Sequence, residues 1–136
     1  MIKSPAEIVA IMMQNDAFSQ WMDLTVEQIS EGQCTLSCIV KEEMLNGFKI
    51  LHGGISYSIA DSALAFASNS YGNKCVSIET SISHTRPAKA GEKLTAVCRE
   101  INRTRRFGIY EVIVSNETQK MVGYFKGTVN VSEDMW

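Results

Sequence analysis

The hydrophobic pattern near the N-terminus predicts a short amphipathic helix. Ile8 and Ile11 recur at the spacing that places side chains on one face of a helix. They follow Ser4, a residue type that favours the N-cap position, and Pro5 then occupies the first helical position. Glu7 stands three residues after Ser4, the spacing of a capping box. We therefore expect a helix that begins directly after Ser4.

The pattern then changes to short apolar runs separated by turn residues, which is typical of strands. The first two runs lie near Trp21–Ile29 and Gln33–Val40, and residues 30–32 between them predict a hairpin turn. Four further runs lie near Cys75–Thr85, Lys93–Asn102, Phe107–Ser115 and Met121–Val131. The chain is thus predicted to contain six strands.

Between the second and third runs the period becomes helical again. Ile55, Ile59, Ala63 and Phe66 recur at helical spacing, and Gly72 stands where a C-terminal cap belongs. A helix from residue 54 to about residue 71 would be roughly 27 Å long. The other faces of this segment carry serine and alanine rather than lysine and glutamate. This composition indicates a helix that is covered on most sides.

One long, almost uncharged helix with two strands before it and four after it favours an α+β fold. In this arrangement a curved antiparallel sheet wraps around a buried central helix. A single helix cannot cover a long curved sheet, so we expect the sheet to continue into a second copy of the chain and form a dimer. With 136 residues, the chain is expected to form a single domain over residues 1–136.

Composition narrows the classes of partner. The net charge of −2 argues against nucleic acid or an anionic membrane surface as the main partner. No apolar run approaches the roughly 20 residues needed to span a bilayer. The four cysteines form no CxxC pair and only two histidines are present, so we expect no metal site. Residues 1–10 lack the apolar core of a signal peptide, and we therefore expect reduced thiols in the cytoplasm.

Asp61 is the residue that composition leaves unexplained. It is the only formally charged residue between Ile50 and Asn73 when His52 is taken as neutral. Its helical neighbours at three and four residues are not cationic, so no local partner offsets its charge. A hydroxyl group could partly satisfy a structural carboxylate here. A cleft at a subunit interface, where the carboxylate meets water or substrate, is the interpretation we favour.

The sequence His52-Gly53-Gly54 directly precedes the same helix. Two glycines would leave backbone N–H groups unobstructed at a helix N-terminus, where the donors lack intrahelical partners and the dipole is positive. Such an end favours an anion or a developing oxyanion. Asp61 lies eight residues after Gly53, roughly 12 Å along the helix axis, so one small reacting centre cannot contact both. Two antiparallel helices across a dimer would solve this problem and give a composite site.

With these motifs in view, the chain resembles the hotdog-fold acyl-CoA thioesterases of the phenylacetic-acid-degradation (PaaI-like) type. The resemblance covers about residues 12–130. It depends on an asparagine six residues before His-Gly-Gly, an aspartate eight residues after the first glycine, and the downstream stretch "RPAKAGEKLTA". It implies a dimeric hotdog fold, acyl-CoA as substrate and no metal or redox cofactor, with coenzyme A entering only as part of the substrate.

The resemblance also assigns roles at matching positions. Gly53 would polarise the thioester carbonyl through its backbone N–H, and Asn46 and His52 would help to hold the carbonyl and the leaving sulfur. Asp61 from the opposite subunit would act as general base on water or as a nucleophile that forms a transient anhydride. Ser77 would help to orient the water. His52 as a simple cap and Ser77 as an ordinary strand hydroxyl are the structural alternatives.

Four further residues are candidates for substrate binding. Asn15 matches a substrate-side position near the end of the first helix, and Gly54 belongs to the glycine pair. Arg103 and Arg106 could meet the phosphates of coenzyme A through charge-assisted hydrogen bonds, or form a solvated turn.

Two alternatives to a thioesterase remain open. The first is a hotdog hydratase or dehydratase, which usually needs a histidine and a carboxylate converging on the acyl chain. His84 is expected to lie in a polar strand away from His-Gly-Gly, which disfavours that chemistry. The second is a non-catalytic acyl-CoA-binding protein, which would not need the uncompensated Asp61. We expect an aromatic or medium-chain acyl group, with arylacetyl, hydroxybenzoyl and medium-chain aliphatic groups all open. The assembly is expected to be a dimer or a dimer of dimers.

Overall fold

The computed structural model describes residues 2–136. Three helices and six strands follow one another along the chain: α1 Pro5–Gln14, α2 Ala17–Trp21, β1 Thr25–Ser30, β2 Gln33–Ile39, α3 Gly53–Asn69, β3 Asn73–His84, β4 Lys93–Arg103, β5 Phe107–Ser115 and β6 Met121–Met135. A short 3₁₀ turn, Glu42–Met44, lies in the connection between β2 and α3. The predicted α+β composition of two main helices and six strands is therefore confirmed, and one short helix is added.

The six strands form one antiparallel sheet in the order β1-β2-β4-β5-β6-β3. Strands β4, β5 and β6 follow one another as a meander, and β3 reaches the far edge by pairing with β6. The two edges are thus the six-residue β1 and the twelve-residue β3. A long edge strand presents unpaired backbone groups along one side, which makes β3 the natural place for a further strand.

Helix α3 crosses the concave side of this sheet and contacts all six strands. Its buried face consists mainly of alanine and larger apolar residues, which pack on apolar side chains from the central strands: Ile59, Ala60, Ala63, Phe66 and Ala67 from α3, with Leu36, Leu94, Val112 and Phe125 from the sheet. The small residues allow the helix to pack closely against the sheet. A Cβ atom at Gly127 of β6 would lie only 2.6 Å from a methyl carbon of Leu64.

The start of α1 follows its local signals. Ser4 is the N-cap, its hydroxyl accepts the N–H of Glu7 at 3.2 Å, and the reciprocal contact completes a capping box with Pro5 at the first position. The side chain of Ile8 is fully buried, as expected for the apolar face of the helix. The predicted N-terminus of this helix is therefore confirmed.

The predicted start of the first strand is wrong, because residues 17–21 form helix α2 instead. Asp16 caps this helix by accepting the N–H of Ser19 at 2.9 Å. Trp21 ends α2, and Asp23 then adopts a positive φ of 52°, which redirects the chain into β1 at Thr25. The hairpin turn at residues 31–32 has the predicted position. Strand β6 continues to Met135, four residues beyond the predicted end.

Candidate active site

The N-terminus of α3 leaves one backbone donor free. His52 is the N-cap, and its Nδ1 atom accepts the N–H of Gly54 at 2.8 Å. The N–H of Ile55 donates to the carbonyl of His52 at 2.9 Å. Within residues 2–136, the N–H of Gly53 has no acceptor. The helix dipole and this free N–H together make the start of α3 suited to a negatively charged oxygen.

These contacts show that His52, Gly53 and Gly54 differ in the hydrogen-bonding groups they leave available. His52 performs the capping function that we gave as its structural alternative, and Gly54 has its N–H occupied by that cap. Gly53 therefore presents the available donor at this helix end. Contacts of His52 or Gly54 with a substrate remain predictions.

Asn46 lies beside Gly53 because the loop between β2 and α3 folds back on itself. The backbone N–H of Asn46 donates to the carbonyl of Ile50 at 2.8 Å, and its side-chain Oδ1 accepts the N–H of Phe48 at 2.9 Å. The side-chain NH₂ group makes no hydrogen bond within residues 2–136. Asn46 and Gly53 line the same cavity, whose volume is about 430 Å³. Two hydrogen-bond donors thus share one space, as the stabilisation of an oxyanion requires.

His84 also lines this cavity, and its predicted separation from His-Gly-Gly is wrong. It is the last residue of β3, and a Cβ atom on Gly53 would lie 3.0 Å from its Nε2 atom. Its Nδ1 atom lies 3.3 Å from the hydroxyl of Ser56, one turn into α3. The residue belongs here because β3 runs back along α3, so the end of the strand meets the start of the helix.

Asp61 and Ser77 line a second cavity of about 230 Å³ between α3 and β3. Asp61 projects from the middle of α3, and Ser77 lies in β3 just before the bulge that interrupts its pairing with β6. The cavity wall is otherwise mainly apolar, with Leu64 and Val129 among its members. A carboxylate and a hydroxyl are thus placed where a water molecule could bind between them.

The surroundings of Asp61 make it a stronger base than an ordinary aspartate. Burial by the surrounding protein raises the pKa of Asp61 above its ordinary value of 3.8, and the negative charge of Asp16 raises it further. Asp16 and Asp61 both border a third cavity of about 310 Å³, together with Tyr57 and Ser58. A raised pKa suits a general base, because the conjugate acid then holds the abstracted proton more firmly.

The two groups of residues do not meet within one chain. None of the three cavities described above is lined by both Gly53 and Asp61. Both residues lie on α3, eight positions and roughly 12 Å apart along its axis. We call the cavity with Asn46 and Gly53 the donor half-site, and the cavity with Asp61 and Ser77 the base half-site.

Asn15 lies where the sequence placed it, at the C-terminal end of α1. It is the C-cap residue, and its side-chain amide donates to the carbonyl of Ile11 at 3.1 Å. It is exposed and lines none of the three cavities described above. Its contact with substrate remains a prediction.

Arg103 and Arg106 have different surroundings. The guanidinium of Arg103 donates to the carbonyl of Ser68 and to the hydroxyl of Tyr110, both at 2.9 Å, and lies over the ring of Tyr71. These contacts join the end of α3 to the sheet. Arg106 is exposed and borders a cavity of about 290 Å³ near Glu133. Its position leaves it accessible to a phosphate, whereas Arg103 is held by contacts within the chain.

The sequence interpretation missed His84 and Asp16 as members of these cavities. For His84 a signal was present: only three residues separate α3 from β3, so the strand must return antiparallel to the helix. For Asp16 no local signal exists, since 45 positions separate it from Asp61.

Among residues 2–136, no group of three or more histidine, cysteine, aspartate or glutamate side chains is placed to hold a metal ion. No helix in the same residues is long and apolar enough to cross a bilayer.

Comparison with known proteins identifies the family. A family model described as the thioesterase superfamily matches residues 48–122, more than half of the chain. The chain belongs to the thioesterase superfamily. The matched region of this superfamily member contains Gly53, Asp61, Ser77 and His84.

Relatives of this thioesterase-superfamily chain agree with the assignment. Acyl-coenzyme A thioesterase PaaI of Escherichia coli is 34% identical over 116 residues, which cover 85% of this chain and 83% of PaaI. The solved structure of the E. coli PaaI protein from the phenylacetic acid degradation operon matches with a TM-score of 0.94 and 30% identity, over 96% of this chain and 95% of that one. The TT0310 protein of Thermus thermophilus matches with a TM-score of 0.81 and 36% identity, over 85% and 97%. The predicted PaaI-like hotdog fold is thus confirmed.

Proposed function

We propose that this chain hydrolyses an acyl-CoA thioester to a free acid and coenzyme A. The observation that carries the proposal is the free N–H of Gly53 at the start of α3, in a cavity shared with the side chain of Asn46. A thioester carbonyl placed there would receive two hydrogen bonds that strengthen as negative charge develops on its oxygen. Membership of the thioesterase superfamily and the similarity to acyl-coenzyme A thioesterase PaaI support the substrate class.

The base half-site would supply the other reactant. Asp61 would remove a proton from a water molecule, which Ser77 orients, as the water oxygen attacks the thioester carbon. The C–S bond of the tetrahedral intermediate then breaks, and the proton held by Asp61 passes to the leaving thiolate. In the alternative pathway the carboxylate itself attacks, coenzyme A leaves, and water hydrolyses the resulting anhydride. Both routes need a carboxylate near the carbonyl carbon and neither needs a metal or redox cofactor.

Because the half-sites are separate within one chain, we propose that the active site is completed by a second copy. The base half-site would then come from Asp61 of the partner subunit and face the donor half-site of the first chain. Two α3 helices lying antiparallel would bring the N-terminus of each beside the middle of the other. Each dimer would thus contain two composite sites.

Strand β3 is the edge that supports this dimer. It is twelve residues long and lies at the open edge of the sheet, so its outer backbone groups can pair with another strand. Val76 and Ile78 in this strand are 69% and 57% exposed. Antiparallel pairing of two β3 strands would cover these apolar side chains and extend the sheet across both chains.

The free thiols support the cytoplasm as the compartment. All four cysteines are unpaired and buried in the structure. Cys34 and Cys98 occupy opposed positions on β2 and β4 without forming a disulfide. Burial raises the pKa of the Cys34 thiol to about 12, so this thiol is poorly reactive. A reducing environment is consistent with such cysteines.

A thiol-release assay tests the function. Purified protein is incubated with a panel of arylacetyl, hydroxybenzoyl and medium-chain aliphatic CoA thioesters, and free coenzyme A is measured with a thiol reagent. We expect release from at least one class and its loss in Asp61→Asn. Binding without thiol release would favour the acyl-CoA-binding alternative. Hydration of an enoyl-CoA without thiol release would favour the hydratase alternative, which the position of His84 makes worth including.

A further inference from the structure

The hydrogen bonds around Ser56 favour one of the two neutral tautomers of His84. The hydroxyl of Ser56 lies 3.1 Å from the carbonyl oxygen of Gly53 and 3.3 Å from Nδ1 of His84. A carbonyl oxygen only accepts, so the single hydroxyl proton of Ser56 goes to Gly53. The bond to His84 then requires Nδ1–H as the donor and the serine oxygen as the acceptor.

The other ring nitrogen is consequently an acceptor. In a neutral imidazole that is protonated at Nδ1, Nε2 carries a lone pair. Nε2 makes no hydrogen bond within residues 2–136, and His84 is exposed in the cavity of the donor half-site. This acceptor lies next to the free N–H of Gly53, since a Cβ atom on Gly53 would be 3.0 Å away from it. The donor half-site thus contains one acceptor beside its donors.

The substrate proposed above offers one matching donor near the reacting carbonyl. In coenzyme A the sulfur is joined through two methylene groups to an amide N–H, which lies within roughly 4 Å of the sulfur along the chain. The acyl side of a thioester has no such obligatory donor. A thioester carbonyl held by Gly53 therefore brings this amide into the neighbourhood of Nε2.

We propose that His84 is a substrate-positioning residue whose Nε2 accepts the hydrogen bond of the amide N–H nearest to the thioester sulfur. The inference deepens the proposed function and rests on it. The contact would orient the leaving group and make the enzyme selective for thioesters that carry an amide two carbons from sulfur. Ser56 contributes by holding the ring in the required tautomer.

Two small substrates that differ only in the amide N–H test its hydrogen bond to Nε2 of His84. Both carry the acyl group released fastest in the acyl-CoA panel. One is its N-acetylcysteamine thioester, and the other is the isostere in which a methylene group replaces the amide N–H. Wild-type kcat/KM should be higher for the amide by about fivefold, the value of one ordinary hydrogen bond. The ratio of the two rates does not depend on the fraction of folded protein, so it remains valid for a destabilised variant.

Three substitutions of His84 distinguish its role as an acceptor through Nε2 from its hydrogen bond to Ser56. His84→Phe keeps a ring but has no acceptor. His84→Asn can place an NH₂ group near the Nδ1 position, whereas His84→Gln can place a carbonyl oxygen near the Nε2 position. We expect the amide preference to disappear in His84→Phe and His84→Asn and to persist largely in His84→Gln.

The outcomes distinguish this inference from the function on which it rests. An unchanged preference in His84→Phe, restoration by His84→Asn, or no preference in the wild type would each overturn the role of His84. In all three cases the thioesterase activity itself would stand. Absence of thiol release from every CoA thioester would instead overturn the proposed function, and the inference with it.

Discussion

Two inactive chains should restore activity to each other if the site is composite. The change consists of Asn46→Ala in one chain, which damages the donor half-site, and Asp61→Asn in the other, which damages the base half-site. In a mixed dimer, one site combines the intact donor half-site of the second chain with the intact base half-site of the first. The other site carries both defects. Each mixed dimer therefore has one working site out of two.

The expected recovery follows from this count. Random pairing of equal amounts of the two chains gives half mixed dimers, and each mixed dimer has half of the wild-type sites. With independent sites, the mixture should therefore reach about one quarter of the wild-type specific activity. The assay is thiol release after co-refolding of equal amounts of the two variants, with size-exclusion chromatography used to verify the dimers.

The structure supplies a matched control for this experiment. Asp61 and Ser77 line the same cavity of one chain, so Asp61→Asn and Ser77→Ala damage the same half-site. A mixed dimer of these two variants has no site with both residues intact, and its activity should stay at the mean of the separate variants. Equal recovery in both mixtures, or no recovery with Asn46→Ala despite verified mixed dimers, would refute the composite site.

Four substitutions test what the surroundings of single residues imply. Asp61→Asn should reduce kcat by about 10²–10⁴-fold with KM within a few-fold, and steady-state kinetics showing wild-type turnover would remove Asp61 from the mechanism. Asp16→Asn keeps the helix cap but removes the negative charge that raises the pKa of Asp61, so the acid limb of the kcat/KM profile should move to lower pH. An unshifted limb would contradict this coupling. Arg103→Ala should lower the free energy of unfolding by about 2–4 kcal/mol in urea titrations, because bonds to Ser68 and Tyr110 are lost. Arg106→Ala should instead raise KM for acyl-CoA but not for pantetheine thioesters, and equal effects on both would exclude a phosphate contact.

Elements with strong local signals could be predicted from the sequence. Ser4, Pro5 and Glu7 determine where α1 begins through contacts made within one turn. Alternation and turn residues located the strands, and β5 has the predicted bounds. Helix α2 escaped prediction because it has only five residues. A helix this short is not stable in isolation and depends on contacts with the rest of the protein. One such contact joins the hydroxyls of Ser19 and Ser62 at 2.9 Å.

The placement of the candidate site residues was predictable only where it follows from position along α3. The eight-residue offset between Gly53 and Asp61 is a property of any helix, so the separation of the two half-sites could be anticipated. The companions of these residues could not be anticipated in the same way. Asp16 reaches the surroundings of Asp61 from a different helix, and its effect on the pKa of Asp61 depends on tertiary packing.

The proximity of His84 gives a physical reason for glycine at position 53. Gly53 does not have a positive φ, so backbone conformation does not demand a glycine there. A Cβ atom at this position would lie 3.0 Å from Nε2 and 3.1 Å from Cε1 of His84, closer than carbon normally approaches a ring. A larger residue would therefore displace the imidazole from Ser56 or shift the start of α3. The missing side chain of Gly53 thus exposes its N–H and also makes room for the imidazole of His84 beside it, an arrangement that would let both groups contact one thioester.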